Sequence, residues 1–202
     1  GNKRLDVGNL GDTNSSGNEY VSYLWKAGGN KGKYNYEGQG FNTAAEMLAA
    51  TGVDVTNGAI TPTGCSISRK AGIGIYTYTG TGSQQTVANG LDIDPFHPNE
   101  GGGGVCIMTK RRDGSRSFHI GFGDLSGSGA GTAGSSSNLQ YINLDNQTND
   151  FAQGNNGRAN ITPDGIFFHS DFSAGQTGVA YIWKEVEGFS RIGVYYGNNS
   201  TR

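Results

Sequence analysis

Gly72-Ile73-Gly74-Ile75-Tyr76-Thr77-Tyr78-Thr79-Gly80 is a run of β-branched and aromatic residues closed at each end by glycine. Val, Ile, Thr and Tyr suit a pleated, half-buried surface, and glycine marks places where the chain turns. The run predicts a strand over 73–79. Four more runs share its make-up: 104–111 (GVCIMTKR), 139–145 (LQYINLD), 164–172 (DGIFFHSDF) and 177–186 (TGVAYIWKEV). They predict strands at 105–109, 139–144, 165–169 and 179–183, with others at 117–122 and 192–196. A further strand is expected over 20–25, where Tyr20, Ser22 and Leu24 alternate with Val21, Tyr23 and Trp25 in period two. Asp113-Gly114, Asn156-Gly157 and Pro163-Asp164-Gly165 supply turn signals between runs. Strands at this spacing, joined by glycine-rich turns, point to an all-β fold, a β-sandwich or jelly roll with long loops.

One segment follows a different period. Thr43-Ala44-Ala45-Glu46-Met47-Leu48-Ala49-Ala50-Thr51-Gly52 starts with a capping box, continues in strong helix formers and stops at glycine. It predicts one short helix over 44–51, with Met47 and Leu48 packed on the sheet. Low-complexity glycine- and serine-rich stretches at 101–104 and 126–137 read as loops.

Only 34% of the 202 residues are hydrophobic and 36 are glycine, so the apolar residues fold the chain because they are clustered, not because they are abundant. The net charge of −2 and the absence of a basic stripe argue against a nucleic-acid partner. The tightest positive cluster, Lys110-Arg111-Arg112, is closed by Asp113-Gly114 and reads as a hairpin tip. No stretch approaches the roughly 20 apolar residues of a membrane span, so no membrane insertion is expected, and no signal-peptide pattern is present. Cys65 and Cys106 lack the close spacing of a zinc site; pairing stays open, with two free buried thiols the favoured reading.

Two signatures occur twice. Tyr20-Val21-Ser22-Tyr23-Leu24-Trp25-Lys26 aligns with Gly178-Val179-Ala180-Tyr181-Ile182-Trp183-Lys184, and residues 75–83 (IYTYTGTGS) align with 193–200 (GVYYGNNS) across one gap. The order predicts a division into 1–26, the end of one repeat; 27–70, an insertion holding the helix; 71–190, the main repeat; and 191–202, the start of another. Such a pattern is expected of a window on a longer array, or of units completed by their neighbours.

Several polar constellations carry groups capable of chemistry. His97 with Asp92, Asp94 and Glu100, and Asp145 with Asn149 and Asp150, carry oxygen and nitrogen donors, but both read better as solvated loops, and no metal is expected. His119 with Asp124 and His169 with Asp171 lack a nucleophile on a strained elbow; Gly123-Asp124-Leu125-Ser126-Gly127 does not match one. No carboxylate pair has a spacing that favours glycoside hydrolysis. No catalytic residue is therefore named, no cofactor is expected, and the chain reads as a non-enzyme. The best candidates for ligand contact are Tyr34 and Tyr36 in Lys31-Gly32-Lys33-Tyr34-Asn35-Tyr36-Glu37, expected as exposed rings on which a sugar face stacks. The competing expectation is that they pin the insertion to the body.

The phrase Tyr181-Ile182-Trp183-Lys184-Glu185-Val186-Glu187-Gly188-Phe189-Ser190, followed by Gly193-Val194-Tyr195-Tyr196-Gly197-Asn198, resembles the "Y-x-x-x-E-V-E-G-F-S-K-F-G-x-Y-T-G-N-G" junction between repeats of tailed-phage fibre and virion proteins. Ile75 to Gly82 is similar to the "x-x-Y-T-G-N-G" opening of those repeats. Asn89-Gly90-Leu91-Asp92-Ile93-Asp94-Pro95 is similar to their "H-G-L-G-x-x-P", and Val105 to Gly114 to their "F-I-I-V-K-R-R-D-G". The resemblance covers about 73–200, with a weaker match at 5–26. It implies a concanavalin-like sandwich repeated along a fibre, in a virion. The partners it implies are copies of itself in a homo-oligomer (fibres are commonly trimeric), other virion proteins and a bacterial surface glycan. The insert 99–104, the segment 126–137 and the insertion after Lys26 depart from the pattern. The alternatives are a self-assembling structural protein that pairs strands or edges, and a polysaccharide-degrading tail enzyme.

Overall fold

Period-two burial organises the chain around its longest strands. The computed structural model describes residues 15–22, 24–25, 27–29, 31–82, 85–93, 104–114, 119–124, 140–143, 159–162, 165–168 and 174–192. The strands are β1 (Tyr34–Tyr36), β2 (Gln39–Phe41), β3 (Gly64–Ser68), β4 (Ile73–Thr79), β5 (Gln85–Val87), β6 (Gly104–Arg111), β7 (His119–Asp124), β8 (Gln140–Asn143), β9 (Ala159–Thr162), β10 (Gly165–Phe168) and β11 (Thr177–Lys184). Among the described residues a single helix, α1 (Ala44–Thr51), lies between β2 and β3. The described part of the fold is all-β apart from this short helix, as the residue pattern predicts.

Eight strands form one mixed sheet in the order β2-β1-β3-β4-β11-β6-β7-β8. Every pairing in it is antiparallel except β1 with β3, which run parallel because the chain crosses over through β2 and α1 between them. β11, late in the chain, occupies the centre and pairs with β4 on one side and β6 on the other. Residues 27–70, read from sequence as an insertion, thus supply three strands of the sheet and the helix. A second, antiparallel sheet has the order β5-β10-β9, with Thr162 opposite Gly165 across the predicted Pro163-Asp164 turn.

The inner face of the large sheet carries Cys65 and Ile67 of β3, Tyr76 and Tyr78 of β4, Ala180 and Ile182 of β11, and Val105 and Ile107 of β6, all buried. Val53, Val55, Val87, Leu91 and Met47 complete this core. Removing an Ile, Val or Leu side chain of this kind from water contributes roughly 1.5–3 kcal/mol, which offsets the entropy of ordering so much glycine. Gly178 faces Tyr78 across the β11–β4 pair, and a Cβ there would overlap the tyrosine ring, so the ring lies on the glycine. The two thiols are free. β4 and β11 stand between β3 and β6, which separates Cys65 from Cys106 by three interstrand steps, roughly 14 Å, well beyond disulfide reach.

The helix forms as its caps dictate. The Thr43 side chain accepts the Glu46 N–H at 3.1 Å, the Glu46 carboxylate accepts the Asn42 N–H at 2.9 Å, and Gly52 ends the helix with φ of 72°. Ala44 and Met47 are buried, Leu48 is half-buried, and α1 packs on β1 and β2.

Two expectations are corrected. None of the described residues of 20–25 lies in a strand: their backbone is irregular, and Val21 (74% exposed), Leu24 (75%) and Trp25 (60%) stay largely exposed. The period-two pattern is present, but no strand of this sheet is open to receive it beside β4 or β6. Ile192 likewise lies outside any strand, and the rest of the predicted 192–196 strand falls outside the described residues.

Candidate functional site

A cleft of about 350 Å³ opens where the β1–β2 turn, the β3–β4 turn and the turn after β11 meet. Its walls include Gly28, Glu37, Ser68, Lys70, Ala71 and Phe189. Each wall follows from local structure. Glu37 and Gly38 are the two central residues of the β1–β2 hairpin, and both have positive φ (49° and 88°), the signature of a two-residue primed turn. Glutamate is unusual there, since asparagine, aspartate or glycine tolerates the left-handed backbone more readily. The surroundings hold it in place: the Glu37 N–H donates to Ile67 O at 3.0 Å, and its carboxylate accepts from Ser68 Oγ at 3.0 Å and from the Lys70 N–H at 3.0 Å. Ser68 Oγ in turn accepts the Ala71 N–H at 3.1 Å, which ties the β3–β4 turn to the same carboxylate. Gly28 presses on the backbone of Ile67 so closely that a Cβ would collide with it, and Ser66 Oγ donates to Gly29 O at 2.6 Å. The floor is therefore a network of hydrogen bonds around one carboxylate.

The rim is apolar and open. Phe189 is 76% exposed. It sits in the turn Val186-Glu187-Gly188-Phe189-Ser190, closed by the Phe189 and Ser190 N–H groups donating to Val186 O at 3.0 and 2.9 Å and by the Val186 N–H donating to Ser190 Oγ at 3.1 Å. Glu185 anchors the exit by accepting the Ile192 N–H at 2.7 Å. The turn fixes the backbone beneath an aromatic ring left in water, and a large ring so displayed beside polar groups is suited to stacking.

The sequence-nominated tyrosines are placed differently. Tyr34, expected as an exposed platform, is only 7% exposed; its hydroxyl donates to Pro62 O at 2.7 Å. Burial, and secondarily the neighbouring Cys65, raises its pKa. Tyr36 is half-buried against the core, with the Arg69 guanidinium 5.9 Å from its ring centroid. Both side chains stand on the inner face, because β1 pairs with β3 in a register that sets Tyr34 beside Cys65 and Tyr36 beside Ile67. They pin residues 27–70 to the body. Phe189 was missed because it sat inside a junction motif read as connective; the signal was a large aromatic placed directly after Gly188 in a turn.

Other polar groups have structural roles. Asp113 accepts from Arg111 Nε at 2.5 Å and from the Thr177 N–H at 2.7 Å, which locks the β6–β7 tip onto β11 and holds the Asp113 carboxyl below its usual range. Burial pushes the Cys65 thiol up to about 12 and that of Cys106 to about 11, so both are protonated at neutral pH. Among the described residues no three His, Cys, Asp or Glu side chains converge as a metal site, and no helix is long and apolar enough to cross a membrane. His97, Asp145, Asn149, Asp150 and His169 lie outside the described residues.

On the outer face of the large sheet, Tyr181 and Trp183 stack at 6.2 Å between centroids, and Trp25 meets Trp183 edge-on at 5.6 Å. The Trp183 indole N–H is buried, with no hydrogen-bond partner among the described residues.

The family defined as a domain of unknown function, DUF7483, matches residues 30–202, and the chain belongs to it. No curated protein and no solved structure matches the chain.

Proposed function

We propose that this DUF7483 chain is a non-enzymatic module of a tailed-phage fibre, a structural spacer that also attaches the virion to a bacterial surface glycan through the Phe189 cleft. The observation that carries the reading is the pairing of an open aromatic ring with a hydrogen-bonded polar floor. A pyranose presents CH groups on its face and hydroxyls at its edge, and the cleft offers Phe189 to the first and Glu37, Ser68 and Lys70 to the second. The Glu37 carboxylate is already held by two donors and retains lone pairs for sugar hydroxyls. Two local facts support the likeness to fibre repeats. The Glu185–Ser190 phrase folds into the turn that presents Phe189. Asp92, standing where the fibre pattern has its second glycine, adopts φ of 58°. In this reading the two sheets are the layers of a sandwich, and the turns at one end carry recognition while the strands carry length. Its partners are copies of itself and other virion proteins.

The test is retention of the labelled chain on an array of bacterial capsular, O-antigen and teichoic-acid polysaccharides. We expect binding to a narrow set of these, a loss of at least about tenfold in Phe189→Ala, roughly one lost stacking contact, and no release of reducing ends on long incubation. Retention untouched by Phe189→Ala removes the cleft as the site. Failure to hold any polysaccharide removes the attachment role, and steady release of reducing ends favours the tail-enzyme alternative.

A further inference from the structure

We propose that the cleft selects sugars by an unacylated vicinal diol, two free hydroxyls on neighbouring ring carbons, and that Glu37 is the residue that reads it. The inference rests on glycan attachment at the Phe189 cleft and names what that site accepts. Glu37 stands out first by its backbone. Among the described residues only Glu37 and Asp92 combine a side chain with a positive φ, and Glu37 holds 49° in a turn where glycine or asparagine is less strained. Strain of this kind persists where the surroundings impose it, and it gathers at sites that use the side chain.

The donors that surround this carboxylate are spent. Ser68 Oγ donates to one Glu37 oxygen and the Lys70 N–H to the other, both at 3.0 Å. The Ala71 N–H goes to Ser68 Oγ at 3.1 Å, the Gly38 N–H to Asn35 Oδ1 at 3.3 Å and the Glu37 N–H to Ile67 O at 3.0 Å. What is left is acceptor capacity. A carboxylate takes about four hydrogen bonds, and Glu37 has taken two, one on each oxygen. The floor therefore asks a ligand for two hydrogens side by side, and the small residues Ala27, Gly28, Gly38 and Ala71 line the approach to it. Adjacent hydroxyls supply both hydrogens. An O-acetyl ester supplies none and leaves the carboxylate stripped of water without a partner. A uronate, phosphate or sulfate at the same depth meets a like charge. A free amine gains little over a hydroxyl, because Lys70 lines the same cleft and offsets the charge of Glu37.

The test uses the full chain and sets each bacterial polysaccharide on the array in two forms, one stripped of O-acetyl groups by mild alkali and one acetylated with acetic anhydride. We expect the parent to hold the stripped form at least about tenfold more tightly, the effect of lost hydrogen bonds to a charged acceptor. Glu37→Gln turns one acceptor oxygen into a donor, and the ratio between the two forms is expected to fall below about threefold. Glu37→Asp keeps the charge but withdraws the carboxylate by one carbon, and it is expected to lower the ratio as well. In Phe189→Ala both forms weaken together and the ratio persists. A parent ratio near one, or a ratio that survives in the folded Glu37 variants, overturns this proposal while Phe189-dependent retention still upholds attachment at the cleft. Retention of neither form removes attachment itself, and this proposal with it.

Discussion

Asp92 holds a left-handed backbone, φ 58°, in a loop fastened by side chains from three directions. The Tyr76 hydroxyl donates to Asn89 O, Arg69 Nε to Gly90 O at 2.9 Å, and Lys184 Nζ to Asp92 O at 2.9 Å. The Leu91 N–H adds a bond to Asn89 Oδ1 at 2.8 Å. The strain is thus imposed by the surroundings, and the residue that best relieves it is the one without a Cβ. Asp92→Gly is expected to leave stability unchanged or raise it, whereas Asp92→Val costs about 1–2 kcal/mol, both read from urea unfolding. Tyr76→Phe strips a buried carbonyl of its donor, and we expect a loss of about 1–3 kcal/mol in the same measurement. Equal effects of glycine and valine at 92 would show that the backbone there is not constrained.

At the scale of elements, the caps of α1 predict their own test. Thr43→Ala removes the acceptor for the Glu46 N–H and is expected to cost about 1 kcal/mol, while Thr43→Ser costs a few tenths at most, by thermal or urea unfolding. This helix was legible in the sequence because capping is local: four residues state the start and one glycine states the stop. The long strands β4, β6 and β11 were legible for a similar reason, since seven or eight residues are enough to show a period of two. β1 and β2 were not, because three residues show no period, and β3 (GCSIS) carries small and polar residues where it meets other strands. Residues 20–25 show the reverse limit. Their pattern is that of β11, yet pattern names only the kind of face a strand fills and not the sheet that supplies it. The cleft was half legible. The Glu185–Ser190 phrase was singled out, but which of its residues points to water depends on a turn closed by Val186 and Ser190, and the buried place of Tyr34 depends on a parallel pairing with β3 that local spacing does not encode.

For the molecule as a whole, the buried acids set the alkaline limit. Cys65 and Cys106 are pushed up from 9.0 to about 12 and about 11, and Tyr34, Tyr76 and Tyr78 are raised above 10.0, with burial the largest cause in each case. A folded-state pKa above the unfolded one means that the native state keeps its proton longer. The stabilisation is complete below pH 9 and is lost as pH climbs through 9–12. Lys184 has the opposite sign: burial lowers its pKa from 10.5, so its cost to folding is relieved as pH rises. Five groups outweigh one, and unfolding free energy is expected to drop above pH 9, each group adding at most about 1.4 kcal/mol per pH unit. Urea midpoints from pH 7 to 11 check this, and Cys65→Ala should give a shallower decline between pH 9 and 11; an identical slope would mean that the thiol does not titrate with unfolding. The central place of β11 has one more consequence, for biosynthesis. Its partners, β4 and β6, leave the ribosome about 100 and 70 residues before it does, each with an open edge on the side that β11 later fills. Translation must deliver Lys184 before those edges are joined, so nascent chains stalled short of that point should cling to holdase chaperones and release only when the last strand emerges.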